Sequence, residues 1–225
     1  RDPVSANTRG TGMLIVDAIR RGAKQVLIAA GGSITTDGGS GAAQVIMESG
    51  GLRGARLTVL TDVDTRFIDA ATLFAPQKGA SAEQVEVLEQ RLRAAAVRMP
   101  RDPRSVRGSG AAGGFAGGMW GWLGSTIAPG ADYVLDAVNL EGRLEGCSAV
   151  VVGEGRLDGQ TAAGKLVHAV VRRKGNVAAH AVVGSIGEGS ERVTGLENVL
   201  IARDLEEMRA AGMRIAQGLR EVRGL

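Results

Sequence analysis

Hydrophobic spacing in the first sixty residues predicts alternating helices and strands. Apolar residues recur at helical intervals over Thr11–Arg21, and Gly22 stands where a helix C-cap is expected. The uncharged run Val26–Ala30 has the length of a buried strand, Ala42–Met47 has the composition of a helix, and Leu57–Leu60 reads as a second strand. The first strand runs directly into a glycine-rich loop. This order predicts an α/β fold.

Further along the chain, the clearest helix covers Ser81–Met99, where Ser81 can cap the helix and Gln84 occupies the third position of a capping box. The small residues that lead into Phe115–Leu123 predict a tightly packed helix. The last third alternates short strands with helices, which predicts parallel strands and crossover helices in a Rossmann-like sheet. Its predicted elements are strands over Ser148–Val152 and Ala178–Val183 and helices over Gly164–Lys174 and Asp204–Arg220.

Composition indicates a globular, soluble protein. The chain has 225 residues, of which 44% are hydrophobic, and no apolar run reaches the roughly 18 residues that a membrane span needs. The single cysteine, Cys147, excludes an intramolecular disulfide, which fits a reducing cytoplasm. Its apolar neighbours in the sequence predict that Cys147 is a small core residue. The first residue is Arg1, and no signal sequence follows it, so we expect the chain to be cut from something longer.

Charge argues against nucleic acid as a partner. The formal net charge of +3 arises from 27 Lys and Arg residues interspersed with 24 Asp and Glu, without a basic stripe. Aromatic residues make up only 3% of the chain, which leaves little for base stacking. Nucleic acid is therefore not expected as a partner.

The glycine loop over Gly31–Gly41 is the first candidate site. It matches neither the Walker A pattern nor the dinucleotide fingerprint. Its glycine amides, its hydroxyls and the N-terminus of the following helix suit a phosphate or a carboxylate. The candidate binding residues are Gly31, Gly32, Ser33, Thr35, Thr36, Gly38 and Gly39. Asp37 could bind Mg²⁺ or accept a proton from a substrate hydroxyl, and the alternative is a structural aspartate that caps the turn.

Three smaller features add candidates for substrate or phosphate binding. Asp62 follows a predicted strand at its carboxyl end, where open α/β sheets place ligand-binding groups. Gln77 and Lys78 lie in a turn that could contact phosphate or a substrate carboxylate, or could simply be exposed. Gly113 and Gly114 could form a backbone nest for an anion, although close packing of two helices is the favoured interpretation.

The second candidate site is Gly153–Lys165, predicted as a loop after an apolar strand. Glu154 and Asp158 supply carboxylates that could hold a magnesium ion, and Arg156 and Lys165 could neutralise charge on a transferring phosphoryl group. The alternative is a set of surface ion pairs.

Other reaction classes lack the residues they need. The two histidines, His168 and His180, lie in separate predicted elements, and one cysteine cannot complete a zinc or iron site. A Gly-x-Ser-x-Gly elbow for a serine hydrolase is also missing from the sequence. Magnesium and phosphoryl chemistry remain.

Four of these segments, in this order and spacing, resemble the glycerate kinase family of the bacterial glyoxylate and glucarate pathways. The segments are Gly31–Gly39, Phe74–Gly79, Gly110–Gly114 and Gly153–Asp158, supported by Thr61–Val63 and Leu135–Ala137. Thr36 stands where the family often has Asn and Ala75 where it often has Gly, and the connection Glu48–Arg56 is short. The family's Asp-Ser-Phe-Lys-Gly and Asp-Gly-Gly-Glu-Gly blocks would precede Arg1, so we expect an incomplete site in this chain.

The resemblance implies a two-domain α/β kinase that transfers the γ-phosphate of ATP to D-glycerate with Mg²⁺, with 2-phosphoglycerate as the favoured product. Residues 1–130 would form a glycine-rich α/β domain and residues 131–225 the C-terminal half of a Rossmann-like domain. The predicted catalytic residues are Asp37, Asp158, Glu154, Arg156 and Lys165, with Glu154 and Asp158 as metal ligands. A different hydroxy acid as acceptor, a non-catalytic ligand-binding fragment and assembly into homodimers are left open.

Overall fold

The computed structural model describes residues 2–159 and 166–223. It divides into two compact units, Arg1–Gly130 and Ala131–Leu225. Within the described residues, six strands form two parallel three-stranded sheets, one in each unit, and helices pack against them. The predicted α/β class is confirmed. Among the described helices, none is both long enough and apolar enough to cross a membrane.

Unit 1 contains a parallel sheet of order β1-β2-β3 and five helices. The strands are β1 (Gln25–Ala29), β2 (Arg56–Thr61) and β3 (Thr126–Pro129). The helices are α1 (Arg9–Arg20), α2 (Ser40–Glu48), α3 (Asp69–Phe74), α4 (Ala82–Arg98) and α5 (Ala111–Leu123), with a 3₁₀ turn over Pro76–Lys78. The register pairs Ile28 with Val59 and Val59 with Ile127, so the carboxyl ends of all three strands lie at one edge.

Two apolar clusters stabilise unit 1. The first joins α1, α2 and α5 to the sheet through buried residues such as Ile46, Val59 and Met119. The second packs Phe67 and α3 against Leu88 and Leu92 of α4. Burial of one such side chain contributes roughly 1.5–3 kcal/mol, so the first cluster stabilises the packing of helices on the sheet and the second the packing of α3 against α4.

The capping box of α4 is formed in full. The Ser81 hydroxyl accepts a hydrogen bond from the Gln84 backbone N–H at 3.3 Å, and the Gln84 side-chain oxygen accepts one from the Ser81 N–H at 2.9 Å. Both donors would otherwise lack a partner at the helix N-terminus, which is why this pattern marks a helix start. The prediction of this helix is confirmed.

Unit 2 contains the parallel sheet β4-β5-β6. Its strands are β4 (Ala149–Leu157), β5 (Ala178–Ile186) and β6 (Asn198–Ile201). Its helices are α6 (Gly130–Ala137), which begins at the boundary residue, α7 (Leu140–Leu144), α8 (Leu166–Arg173) and α9 (Leu205–Arg223), with a 3₁₀ turn over Ser190–Arg192. Val152, Val167 and Val183 lie in its buried apolar core.

Two local predictions for unit 2 are wrong. Glu154 and Arg156 lie inside β4, which continues to Leu157, rather than in a loop, because this stretch pairs in parallel with β5. Cys147 is exposed instead of buried, because it follows the end of α7 in a turn, where its thiol donates to the Arg143 carbonyl at 3.2 Å.

Candidate functional site

The glycine loop of unit 1 leaves β1 at its carboxyl end and enters α2. Gly31 and Gly32 are exposed, whereas the loop becomes fully buried from Thr36 to Gly39. Gly39 caps α2 in the left-handed conformation with a φ of 71°, which favours glycine. The loop therefore has an accessible first half and a second half that is part of the core.

Asp37 organises the buried half. One carboxylate oxygen, Oδ2, accepts hydrogen bonds from the Thr8 N–H at 2.9 Å, the Thr8 hydroxyl at 2.8 Å and the Gly41 N–H at 3.2 Å. The other, Oδ1, accepts from the Gly39 N–H at 3.1 Å. The Thr8 hydroxyl in turn accepts from the Ala42 N–H at 2.9 Å. A single carboxylate thus binds the N-termini of both α1 and α2, where helix dipoles stabilise negative charge.

This geometry favours the alternative that the sequence left open, an aspartate with a structural capping role. Asp37 is only 4% exposed, and both of its carboxylate oxygens already accept hydrogen bonds from the chain. A metal ligand or a general base needs an oxygen that the metal or the substrate can reach. The catalytic role of Asp37 stays a prediction.

Lys78 meets the loop from the 3₁₀ turn. Its ammonium donates to the Thr35 carbonyl at 2.8 Å and to the Thr36 hydroxyl at 3.4 Å, although more than forty residues separate these partners along the chain. Burial lowers the pKa of Lys78 below its ordinary value, and the negative charge of Asp37 opposes that shift. Within the described part of the chain, no ion pair joins Lys78 to a carboxylate.

A cavity of about 370 Å³ opens beside Lys78, a size within the usual range for small-molecule sites. Of the predicted binding residues, it brings together Gly31, Gly32, Ser33, Gln77, Lys78 and Gly113. Its remaining walls are Ala30, Ile34, Val63, Phe74 and Ala112. A smaller adjoining cavity of about 140 Å³ is lined by Thr35, Ser33 and Thr8, among others.

Helix α5 fixes the shape of this cavity from the other side. Ala112, Gly113 and Gly114 adopt left-handed backbone angles at its start. A Cβ on Gly113 would lie 1.9 Å from the Thr35 carbonyl oxygen, and one on Gly118 would lie 2.0 Å from that of Gly38. The glycines therefore permit direct contact of backbone with backbone, although Gly113 meets the glycine loop at Thr35 rather than a second helix.

The remaining predicted residues of unit 1 lie away from the larger cavity. Thr36, Gly38, Gly39 and Gly114 are buried, and the cavity lining does not include them. Asp62 follows β2 at its carboxyl end, as predicted, but it is exposed and outside the lining as well.

In unit 2, the predicted charged groups lie along β4 and just beyond it. Glu154 is half-buried within the strand, and Asp158 follows its end with 21% of its side chain exposed. Arg156 Nε lies 3.5 Å from Asp158 Oδ2, which is one of the ion pairs that the alternative interpretation foresaw. Lys165, the fourth predicted group, lies outside the described residues.

Two carboxylates near the end of one strand are a chemically suitable set for Mg²⁺, which proteins commonly bind through one or two carboxylates while water and phosphate oxygens complete the shell. Residues 2–159 and 166–223 bring no group of three or more His, Cys, Asp or Glu side chains into metal-binding proximity. Glu154 and Asp158 are four residues apart along extended chain, which separates their Cα atoms by about 13 Å, so both could not bind one ion directly. One of them would contact the ion through a water ligand, and nucleotide oxygens would complete the shell.

Comparison with known proteins agrees with this arrangement of segments. The model of the glycerate kinase family matches residues 1–49 and 47–223. The chain belongs to the glycerate kinase family. A glycerate kinase of Halalkalibacterium halodurans is 32% identical over 86% of this chain and 60% of the relative. The glycerate 2-kinase of Escherichia coli K12 is 33% identical over 74% of this chain and 53% of the relative.

A solved structure resembles the whole chain. The crystal structure of a Salmonella typhimurium LT2 protein, studied as a candidate glycerate kinase 2, is 28% identical with a TM-score of 0.78 and covers 100% of this chain and 72% of that one. This chain spans between 53% and 60% of the length of the two glycerate kinases above.

Several walls of the larger cavity were not predicted as site residues from the sequence. Ile34, Val63 and Ala112 carry no polar group, so residue type gives no signal for them. Their position in the sequence does give a signal, because Ile34, Val63 and Ala112 each lie within or next to a segment shared with the glycerate kinase family. The family pattern could have found them where chemistry could not.

Proposed function

We propose that this chain carries out ATP-dependent phosphorylation of D-glycerate as part of a glycerate kinase, with 2-phosphoglycerate as the favoured product. Family membership supports the reaction class, and similarity to the glycerate 2-kinase of Escherichia coli supports the 2-hydroxyl as the acceptor. The observation that carries the proposal is the cavity in which a half-buried lysine, a serine and glycine backbone meet. We further propose a cytoplasmic role in glyoxylate metabolism.

In this proposal the two units supply different groups. The accessible half of the glycine loop and Lys78 bind an anionic part of the substrates in unit 1. In unit 2, Glu154 and Asp158 would act on Mg²⁺, one directly and the other through a water ligand of the ion, and Arg156 would neutralise phosphate charge. Mg²⁺, when bound, would supply positive charge to the phosphate oxygens of the nucleotide. Asp37 would keep the loop in shape through its four hydrogen bonds.

An ADP-release assay with D-glycerate and Mg²⁺ tests the proposal. Phosphorus NMR identifies the product, because the phosphorus of a 2-phosphate couples to one proton and gives a doublet, whereas that of a 3-phosphate couples to two protons and gives a triplet. A panel of other small hydroxy acids tests the acceptor. If ATP binds but no acid causes ADP release, the kinase proposal is refuted and a ligand-binding role is favoured.

Two substitutions test the roles in unit 2. Asp158→Asn and Glu154→Gln keep side-chain size and remove charge, and each should lower kcat at least about tenfold if the carboxylate acts on metal or phosphate. Glu191→Gln is the matched control, since the Glu191 side chain is 72% exposed in the 3₁₀ turn of the same unit. Raised Mg²⁺ should restore part of the lost rate only in the first two variants. Near-normal kcat in both would refute their assignment.

A further inference from the structure

We infer that the cavity beside Lys78 is the subsite for the carboxylate of the acceptor acid, with the Lys78 ammonium and the Ser33 hydroxyl as its hydrogen-bond donors. This inference rests on the proposed function, because it assigns one part of one substrate to one part of that site. It excludes the nucleotide phosphates from the same cavity.

Lys78 has donor capacity to spare. An ammonium carries three N–H donors, and two of them are used by the Thr35 carbonyl and the Thr36 hydroxyl. Those two acceptors are neutral, so they satisfy hydrogen bonds without neutralising the charge. A half-buried ammonium that is not ion-paired is costly, and an anion in the adjoining cavity would offset that cost.

Ser33 supplies an independent observation. Its hydroxyl oxygen is buried, and it has no hydrogen-bond partner among the described residues. The residue lines both the larger cavity and the smaller adjoining one. Buried hydroxyls are nearly always satisfied in folded proteins, by the chain, by water or by a ligand. A carboxylate oxygen in the cavity would accept the Ser33 O–H.

The charge of the lining favours a monoanion. Lys78 is the one cationic side chain among the cavity's described lining residues, and the negative charge of Asp37 acts on it from the core. Binding of a triphosphate relies on several cations or a metal ion around its oxygens. One ammonium, one hydroxyl and the Gln77 amide instead match a single carboxylate with neighbouring hydroxyls.

The apolar walls fit the same occupant. Ile34, Val63 and Phe74 line the cavity next to these polar groups. Small-molecule sites commonly combine such walls with a few convergent polar groups that fix orientation. A short carbon skeleton can lie against the walls while its carboxylate meets Lys78 and Ser33. The occupant is therefore a small hydroxy acid.

Isothermal titration calorimetry of the 225-residue chain tests this inference with three probes: D-glycerate, glycerol as its uncharged analogue, and ATP with Mg²⁺. Lys78→Met should weaken D-glycerate binding at least about tenfold, and Ser33→Ala should weaken it several-fold. Neither should change the dissociation constant of ATP more than twofold. Glycerol should bind more weakly than D-glycerate to the unmodified chain, and Lys78→Met should remove that difference.

Lys174→Met is the matched control, because the Lys174 ammonium also donates to a backbone carbonyl, that of Val177 at 2.8 Å, but in unit 2. It should leave D-glycerate binding unchanged. Lys78→Arg keeps the charge and should retain more affinity for D-glycerate than Lys78→Met. A purely structural role of Lys78 would instead weaken the binding of glycerol as much as that of D-glycerate in Lys78→Met. If Lys78→Met unfolds, as judged by circular dichroism, Lys78→Arg and Ser33→Ala carry the test.

Three results would overturn the inference. They are absence of D-glycerate binding at millimolar concentration in the unmodified chain, unchanged binding in folded Lys78→Met, and loss of ATP binding in place of D-glycerate binding. The proposed function fails separately: if D-glycerate binds through Lys78 and no acid is phosphorylated, the carboxylate subsite stands and the kinase proposal falls. Phosphorylation that continues unchanged in Lys78→Met would reject the subsite alone.

Discussion

Replacing Asp37 with asparagine should destabilise unit 1, although the two side chains have nearly the same shape. Asparagine offers one oxygen and one NH₂ group. With its oxygen at the position of Oδ2, it can still accept from Thr8 and Gly41, but its NH₂ group then faces the Gly39 N–H. The substitution therefore removes one hydrogen bond, brings two donors together and removes the negative charge at two helix N-termini.

The size of the effect follows from these losses. A hydrogen bond to a charged group contributes about 1.5–3 kcal/mol. Negative charge at a helix N-terminus contributes about 0.3–1 kcal/mol, and here it is lost from both α1 and α2. Together these losses lower the free energy of unfolding of unit 1 by roughly 2–5 kcal/mol. That is a large fraction of the stability of a typical domain.

Urea denaturation followed by tryptophan fluorescence measures this loss, because both tryptophans, Trp120 and Trp122, lie in α5 of unit 1. The control is Asp17→Asn, which removes the charge of an exposed carboxylate paired with Arg21 and should cost less than about 0.5 kcal/mol. If Asp37→Asn shifts the transition no more than this control does, the carboxylate does not organise the loop and the capping interpretation is wrong.

Three further changes have expected outcomes. Gly118→Ala should destabilise unit 1 by about 1–3 kcal/mol, because its Cβ would meet the Gly38 carbonyl. Gly10→Ala is the matched control in α1 of the same unit, where a Cβ would meet nothing within 4 Å, and it should be neutral or stabilising in the same denaturation experiment. Because the pKa of Lys78 is lowered in the folded chain, the unfolded chain binds more protons as pH approaches the ordinary value of 10.5. The free energy of unfolding of the unmodified chain should therefore rise relative to that of Lys78→Met over this pH range. A fall in the difference between the two free energies would contradict this. Arg173→Met should lower the melting temperature of unit 2 by removing ion pairs with carboxylates of α6 and α7. The difference in melting temperature should become smaller as salt is added, because salt screens ion pairs. A difference that does not depend on salt would indicate lost packing instead.

Structural features that depend on residues close together in the sequence could be predicted from local sequence patterns. Ser81 and Gln84 are three residues apart, so their capping box could be read directly from the chain. The glycine loop and the Lys78 turn were also predicted, because glycine and charge stand out in composition. Family resemblance placed these segments in one protein, and family membership is confirmed.

Features that depend on distant contacts were missed or mistaken. The alternation of glycine and charge in Gly153–Leu157 reads as a loop, yet pairing with β5 draws it into a strand. Ala112 has a left-handed backbone conformation, which alanine disfavours, and its neighbours in the sequence do not predict that conformation. The cavity itself depends on contact between Gly113 and Thr35, which only the folded chain brings together.

The groups that shape the glycine loop come from far along the chain, and this separation has a kinetic consequence. Thr8, Lys78 and Gly113 lie 29, 42 and 75 residues from their partners Asp37, Thr36 and Gly38. Contacts of such sequence separation must close long loops during folding, so we expect the cavity to form late. A ligand that needs the finished cavity gains nothing in the folding transition state. Such a ligand should lower the unfolding rate of unit 1 and leave its folding rate unchanged.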